Sequence, residues 1–137
     1  MKGFTMIRGI RLLLIVFVVL AGVVRASAQD LQEDLKARRA RVMQQLGPNS
    51  MLILFSAEEK NYSNDVNYEF RQDSNMFYLT GIDQPDTILV LMPGNQERKE
   101  ILFVKPPDPG QEHWTGHLLT KTEATGESGI ATVNTAN

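Results

Sequence analysis

The sequence contains no cysteine, only two histidines and a single tryptophan among its 137 residues. Without cysteine there is no disulfide, no thiolate nucleophile and no cysteine-ligated zinc, so folding depends on a packed core. The G-x-S-x-G, phosphate-loop and H-E-x-x-H motifs are also absent, and with them the usual signs of a serine hydrolase, a nucleotide-binding enzyme or a zinc peptidase. What remains, 42% hydrophobic and 22% charged residues, is typical of one ordinary globular domain.

The beginning of the sequence has the pattern of a secretory signal peptide. Basic residues precede an apolar run at 12–24, and the small residues Ala26 and Ala28 follow it. We therefore predict a signal peptide at 1–28, a mature domain at 29–137, and export to the periplasm or out of the cell. The alternative is an uncleaved membrane anchor, although the apolar run is shorter than the ~20 residues that span a bilayer.

Removal of the signal peptide makes the chain more acidic. The segment 1–28 carries four basic and no acidic residues, so ten basic and sixteen acidic residues remain, with a net charge of −6. An acidic domain without a basic stripe does not favour nucleic acid as a partner.

The mature sequence begins with a helical pattern. Apolar residues recur at helical spacing over 30–46, Asp30 can cap the helix, and a Gly-Pro pair ends it. We expect Arg38, Arg39 and Arg41 to lie on the solvated side. The apolar face is formed by Leu31, Leu35, Val42, Met43 and Leu46.

The remainder predicts an α/β fold with a mixed β-sheet flanked by helices. The apolar run at 51–55 predicts a buried strand, and a polar loop follows it. The predicted strands are apolar on both sides, so we expect helices to cover both faces of the sheet. The other predicted elements are a short helix capped by Asp73 or Ser74 and ending at Gly81, a hairpin of strands at 87–92 and 100–105, a helix with a capping box at Thr120 and Glu123, and a strand starting near Ile130.

Two groupings have spacings that could suit a metal ion. His113 and His117 are four residues apart, and Asp65, Glu69 and Asp73 repeat every four residues. A glycine interrupts the first grouping, and an arginine can neutralise the second. We therefore predict exposed histidines and no metal site in this chain.

Three stretches resemble the N-terminal domain of aminopeptidase P, the Xaa-Pro aminopeptidase branch of the creatinase/prolidase superfamily. They are "RRARVMQQLGPNSMLILFSA", "SNDVNYEFRQDSNMFYLTGIDQPDTILVL" and "ILFVKPPDPGQEHWTGHLLT". The resemblance runs from Arg38 to Ile130 and is most specific in the second stretch. One departure is Glu69, where the family often has proline, which would fix the backbone of the loop.

The resemblance implies an enzyme that removes the N-terminal residue from peptides with proline second by two-metal hydrolysis. Its catalytic half, the pita-bread domain, holds two manganese ions and would follow this chain, so we expect residues 29–137 to be an incomplete N-terminal domain. This chain alone should then contain no catalytic residue. Xaa-Pro peptides are the implied partners of the full-length enzyme, and this domain could form a homo-oligomer.

The resemblance also implies substrate-binding residues. The loops that carry Asp65 and Trp114 would approach the peptide cleft, where a carboxylate could meet the free amino group and an aromatic ring could stack on proline. Arg71 could bind a carboxylate or backbone carbonyls through its fork of donors. The other polar residues of the "RQDS" segment would fix a turn, and the aromatic rings of 68–81 would lie in the core. Two alternatives stay open, namely a stand-alone binding or assembly module and part of a prolidase-like dipeptidase.

Overall fold

The structure is a computed structural model, and it describes residues 30–136. The predicted signal peptide at 1–28 lies outside these residues. Among the helices of residues 30–136, none is both long and apolar enough to cross a membrane. The elements are α1 (30–46), β1 (Leu52–Phe55), β2 (Asn61–Ser63), β3 (Val66–Asn67), α2 (Ser74–Thr80), β4 (Ile88–Leu91), β5 (Glu100–Val104), α3 (Glu112–Thr115), α4 (Lys121–Ser128) and β6 (Val133–Thr135).

The main sheet is mixed, as predicted. Its strand order is β1-β4-β5-β6, with antiparallel pairing of β1 to β4 and of β4 to β5, and parallel pairing of β5 to β6. The short connection between β4 and β5 makes the predicted hairpin. The parallel pair requires a long crossover, and α3 and α4 occupy it.

One face of this sheet packs against helices and forms the core. Strand residues on this face alternate with residues on the other side, so Leu89, Leu91, Leu102 and Val104 are all fully buried. Helices α2 and α4 contribute buried residues to the same cluster, and α1 packs Val42 and Met43 against it. We refer to this side as the closed face.

The opposite side of β1 is exposed, contrary to the prediction of a buried strand. Ile53 is 47% exposed and Phe55 is 66% exposed, whereas Leu52 and Leu54 pack against the core. β1 is an edge strand, so it has a neighbouring strand on only one side. The expectation of helices on both faces therefore fails at β1 within the described residues. We call this side, which β1 shares with Val90 of β4, the open face.

Arg39 is the residue whose position differs most from the prediction. It was expected on the solvated side of α1, but it is completely buried. It follows Leu35 by four residues and therefore lies on the same helix face. Arg41 is exposed as predicted, and Arg38 is partly buried. Asp30 is itself helical, so the prediction that it caps α1 is wrong.

Arg39 joins the ends of two other helices. Its Nη1 donates hydrogen bonds to the carbonyls of Leu79, 2.9 Å away near the end of α2, and Ser128, 3.0 Å away at the end of α4. Carbonyls in the last turn of a helix lack intrahelical donors and carry partial negative charge, so a cation there is favourable. Nε lies 3.1 Å from Oε2 of Glu100, an ion pair whose angle does not meet hydrogen-bond geometry. Arg39 thus links α1, α2, α4 and β5.

The predicted caps of α2 and α4 are confirmed. The Asp73 side chain accepts hydrogen bonds from the backbone N–H groups of Asn75 and Met76, and Thr120 and Glu123 form a complete capping box. α2 ends at Gly81, whose φ of +73° is in the left-handed region that favours glycine.

The loop predicted between β1 and α2 contains an additional element. Strands β2 and β3 form a small antiparallel hairpin whose residues are all exposed. A turn at Asn64, with φ of +50°, connects them. This hairpin could not be predicted from its polar sequence, because neither strand contributes to the core.

Candidate functional site

Gln72 fixes the segment at the centre of the resemblance. Its side chain is almost fully buried, and its Oε1 accepts hydrogen bonds from the N–H groups of Ala57 and Asp73 at 2.9 and 3.0 Å. Its Nε2 donates to the carbonyls of Ile82 and Gln84 at 3.3 and 2.9 Å. One amide therefore joins the exit of β1, the start of α2 and the loop after α2. The turn-fixing role predicted for this segment is confirmed at Gln72.

Arg71 points outward beside this anchored turn. It is exposed and has no hydrogen bond or ion pair within the part of the chain that the structure describes. A guanidinium fork without a protein partner can bind a carboxylate or carbonyl group of a ligand. The rigid turn at Gln72 limits where this fork can reach.

Arg71 lines two clefts. The first, which we call the Tyr68 cleft, has a volume of about 580 Å³ and is lined by Phe55, Ser56, Ala57, Glu58, Lys60 and residues 68–74. The second, the Tyr78 cleft, has a volume of about 460 Å³ and is lined by Arg38, Arg71, Gln72, Ser74, Phe77, Tyr78 and Asp83. Both combine aromatic rings with an arginine, and both also contain carboxylates, so each lining is partly apolar and mixed in charge.

The aromatic rings of 68–81 are mainly exposed, so the prediction that they lie in the core is wrong. Tyr68, Phe77 and Tyr78 are 57%, 51% and 49% exposed. On α2 the buried positions are Met76, Leu79 and Thr80, at helical spacing. Phe77 and Tyr78 occupy the other side of the same turn. The sequence contained this signal, because two adjacent aromatic residues cannot both share the face of Met76.

The wall of the Tyr78 cleft is held by α1. The guanidinium carbon of Arg38 lies 4.4 Å from the centre of the Tyr78 ring, and its Nη1 donates a hydrogen bond of 3.0 Å to the Tyr78 carbonyl. A cation over an aromatic ring is attracted by the ring face. Arg38 therefore has a structural partner, which sequence reasoning missed.

Asp65 lies in the turn of the β2–β3 hairpin and is exposed. The side chain of Asn61 supports this turn by donating to the carbonyls of Asn64 and Val66, at 2.9 and 3.3 Å. The rings of Tyr62 and Tyr68 meet edge to face at 5.0 Å across the hairpin. These contacts hold the backbone around Asp65, whose exposed carboxylate is accessible to a cation.

Trp114 lies on the four-residue helix α3 and is 84% exposed. Its ring meets that of His113 edge to face at a centroid distance of 5.2 Å. Such exposure is unusual for a large aromatic residue and is typical of a contact surface. Asp65 and Trp114 line neither the Tyr68 nor the Tyr78 cleft, so of the three predicted substrate-binding residues only Arg71 borders these cavities.

The histidine and carboxylate side chains are the candidate ligands for a metal centre. Within residues 30–136 there is no group of three or more His, Cys, Asp or Glu side chains that could hold an ion. His117 is instead paired with glutamates: its Nδ1 is 2.6 Å from Oε1 of Glu112, and its Nε2 is 3.3 Å from Oε1 of Glu123. The described residues therefore do not fit a two-manganese centre.

A third cleft, of about 600 Å³, lies next to Phe55 and contains none of the predicted residues. Its cation is already engaged, since Nζ of Lys105 lies 2.8 Å from Oδ2 of Asp86 and this hydrogen bond raises the pKa of Lys105. Among the lining residues of the third cleft, the cation is therefore already paired, unlike Arg71.

Of the residues named in the predicted site, Arg71 is exposed beside an anchored turn and Trp114 is exposed on α3. A comparison with protein families matches residues 35–137 to the aminopeptidase P N-terminal domain. The chain belongs to the aminopeptidase P N-terminal domain family. The match covers most of the chain and includes the whole range of the predicted resemblance, from Arg38 to Ile130.

Individual aminopeptidase P relatives support the same assignment. The Xaa-Pro aminopeptidase of Haemophilus influenzae is 47% identical over 88 residues, which are 64% of this chain and 20% of that protein. The Pseudomonas aeruginosa aminopeptidase PepP structure matches 74% of this chain and 23% of its own, with 33% identity and a TM-score of 0.69. Zinc-substituted Escherichia coli aminopeptidase P in complex with product matches 76% of this chain and 24% of its own, with 28% identity and a TM-score of 0.70. The chain thus spans about a quarter or less of these aminopeptidase P relatives.

Proposed function

We propose that this chain is the non-catalytic N-terminal part of a Xaa-Pro aminopeptidase and that it forms one side of the peptide-binding site. The observation that carries the proposal is the family match over residues 35–137. The relatives named Xaa-Pro aminopeptidase support a substrate with proline as its second residue. Peptide bonds that precede proline lack an N–H group and have restricted geometry, so a specialised enzyme is needed.

The chemistry is assigned to residues outside this chain. Two manganese ions would supply an activated hydroxide and stabilise the oxyanion in the full-length enzyme. Because the described residues do not fit such a centre, this chain contributes binding and orientation. Trp114 would stack on the proline ring, Asp65 would pair with the peptide amino group, and Arg71 would bind a carboxylate or carbonyl.

The decisive experiment uses a protein that continues this chain to the length of its relatives. Release of the first residue from an Xaa-Pro peptide is measured for the parent, for Trp114→Ala and for Asp65→Asn. We expect Trp114→Ala to lower kcat/KM several-fold, because a lost aromatic contact is worth about 0.5–1.5 kcal/mol. The Asp65→Asn variant should lose rate without losing stability, since its carboxylate is exposed.

The same series has a control and a contradicting outcome. His113→Gln is the control, because it removes the ring that contacts Trp114 and retains the tryptophan itself. Circular dichroism should show that all variants fold. Unchanged kcat/KM for both Trp114→Ala and Asp65→Asn would remove these residues from the peptide site.

We also propose that the full protein is exported. The proposal is supported by the basic start, the apolar run at 12–24 and the small residues before Gln29. N-terminal sequencing of protein from the exported fraction should then begin at Gln29. Protein that begins at Met1 in the membrane fraction would instead indicate an anchor.

A further inference from the structure

The exposed Trp114 side chain lies on a helix too short to be stable alone. Helix α3 has four residues and ends at Gly116, and no side chain caps its start. Isolated helices of this length do not form in water, so contacts outside α3 must hold it. The orientation of Trp114 therefore depends on how α3 is attached to the domain.

The side chain of His117 contacts both α3 and α4. Its Nδ1 lies 2.6 Å from Oε1 of Glu112, the first residue of α3. Its Nε2 lies 3.3 Å from both carboxylate oxygens of Glu123. Glu123 is itself fixed by the capping box with Thr120, so it is a well-ordered attachment point.

We propose that His117 is a positioning residue that holds Trp114 in place by bridging Glu112 of α3 and Glu123 of α4 in its protonated form. The inference rests on the proposed function, in which Trp114 faces the peptide. A neutral imidazole has one donor and one acceptor, whereas the imidazolium has two donors. Only the imidazolium can donate to a carboxylate at each ring nitrogen, so the bridge depends on pH.

The surrounding charges favour the imidazolium. The hydrogen bond to Glu112, followed by that to Glu123, raises the pKa of His117 above the ordinary value of 6.5. Thr120 lowers the pKa of Glu123, first through its backbone N–H and then through its hydroxyl, so this carboxylate stays charged. The other titratable groups of the two helices are His113 on α3 and Lys121 and Glu127 on α4.

The direction of the pH dependence follows from the raised pKa. The bridge is complete at pH values below the ordinary histidine pKa, and it is lost as the pH rises through the raised pKa of His117. The site is exposed, so salt should weaken the bridge. At high pH α3 should move more freely, and Trp114 with it.

The composition of the chain allows a direct test. Trp114 is the single tryptophan, and the chain has only two histidines. Because His113 contacts the indole and can change its emission when protonated, the test uses the His113→Gln chain as the background. In that background His117 is the only histidine, provided that no histidine tag remains.

The measurement is the fluorescence anisotropy of Trp114 in the 137-residue chain between about pH 5.5 and about pH 9. We expect the anisotropy of the His113→Gln chain to fall in one step as the pH rises. Adding His117→Gln should abolish the step and leave the low value at every pH. Adding Glu112→Gln instead should remove most of the step and leave the Thr120–Glu123 capping box intact.

Each outcome decides the proposal. A pH step that survives His117→Gln, or the absence of a step in the His113→Gln background, would overturn it. If His117→Gln prevents folding, as seen by circular dichroism, an unchanged step in the Glu112→Gln variant would overturn it as well. No catalysis is measured, so a failure of the peptide-site proposal, seen as unchanged activity of Trp114→Ala, is distinguishable from a failure of the bridge.

Discussion

The two faces of the main sheet differ more in burial than in the type of residue they carry. Leu89 and Leu91 lie on the closed face and are completely buried, while Ile53 and Phe55 on the open face are about half exposed or more. All four are large apolar strand residues. The apolar sequence of a strand therefore shows only that its side chains can be buried. Whether they are buried depends on whether a helix or another element packs on that face of the sheet.

The closed face is also where the polar residues are most tightly bound. Arg39, Gln72 and Thr80 are buried and donate hydrogen bonds to backbone carbonyls, which for Arg39 are distant in sequence and for Thr80 belong to the same helix. The exposed aromatic residues Tyr68, Phe77 and Tyr78 have no comparable anchor in the core. We infer that the closed face provides the stability, and that the exposed residues are available for contacts.

The largest expected effect is at Arg39. Arg39→Ala should lower the free energy of unfolding by about 3–5 kcal/mol, because it leaves Glu100 and two carbonyls without a partner in a buried site. Urea denaturation followed by circular dichroism measures the change. Arg41→Ala is the matched control, since Arg41 is an exposed arginine of the same helix, and it should cost no more than about 0.5 kcal/mol. Equal losses of unfolding free energy for the two variants would contradict the prediction that the buried arginine contributes more to stability.

The second prediction compares the faces directly. Leu89→Ala should cost about 2–5 kcal/mol, the range for a buried leucine. Ile53→Ala removes a side chain of the same size from the open face of the neighbouring strand, and should cost about 1 kcal/mol because nearly half of it is already exposed. Thermal or urea denaturation of both variants provides the test. A loss at Ile53 as large as that at Leu89 would mean that the open face is covered.

The smallest predicted change concerns the start of α2. Asp73→Ala should destabilise the chain by about 1 kcal/mol, because the N–H groups of Asn75 and Met76 lose their acceptor. Ser74→Ala is the control, since Ser74 makes no such cap. The difference in urea midpoint between the two variants measures the cap, and identical midpoints would show that solvent replaces it at no cost.

Much of the fold could be predicted because local signals agree with it. The capping box at Thr120, the cap at Asp73, the glycine at position 81 and the hairpin of β4 and β5 all depend on residues close in sequence. The burial of Arg39 could not be predicted in the same way. Its partners lie 40 and 89 residues away in the chain, so their proximity exists only in the folded protein.

The site was predicted less completely than the fold. Arg71 is a predicted substrate-binding residue, and in the structure it is exposed and lines both the Tyr68 and the Tyr78 clefts. The roles of Asp65 and Trp114 remain predictions, because neither residue borders these clefts. The size of the aromatic rings of α2 predicts burial, but helical spacing places Met76 and Leu79 inward and leaves the rings on the other side.

The central claim is that this domain shapes a peptide site and holds no catalytic centre of its own. The most direct test incubates the purified 137-residue chain with manganese and a peptide whose second residue is proline. A protein extended to the length of its relatives, assayed in parallel, is the positive control. We predict no release of the first residue by the chain alone and release by the extended protein. Manganese-dependent release by the chain alone would contradict the claim, because residues 30–136 show no group of side chains able to hold such a centre.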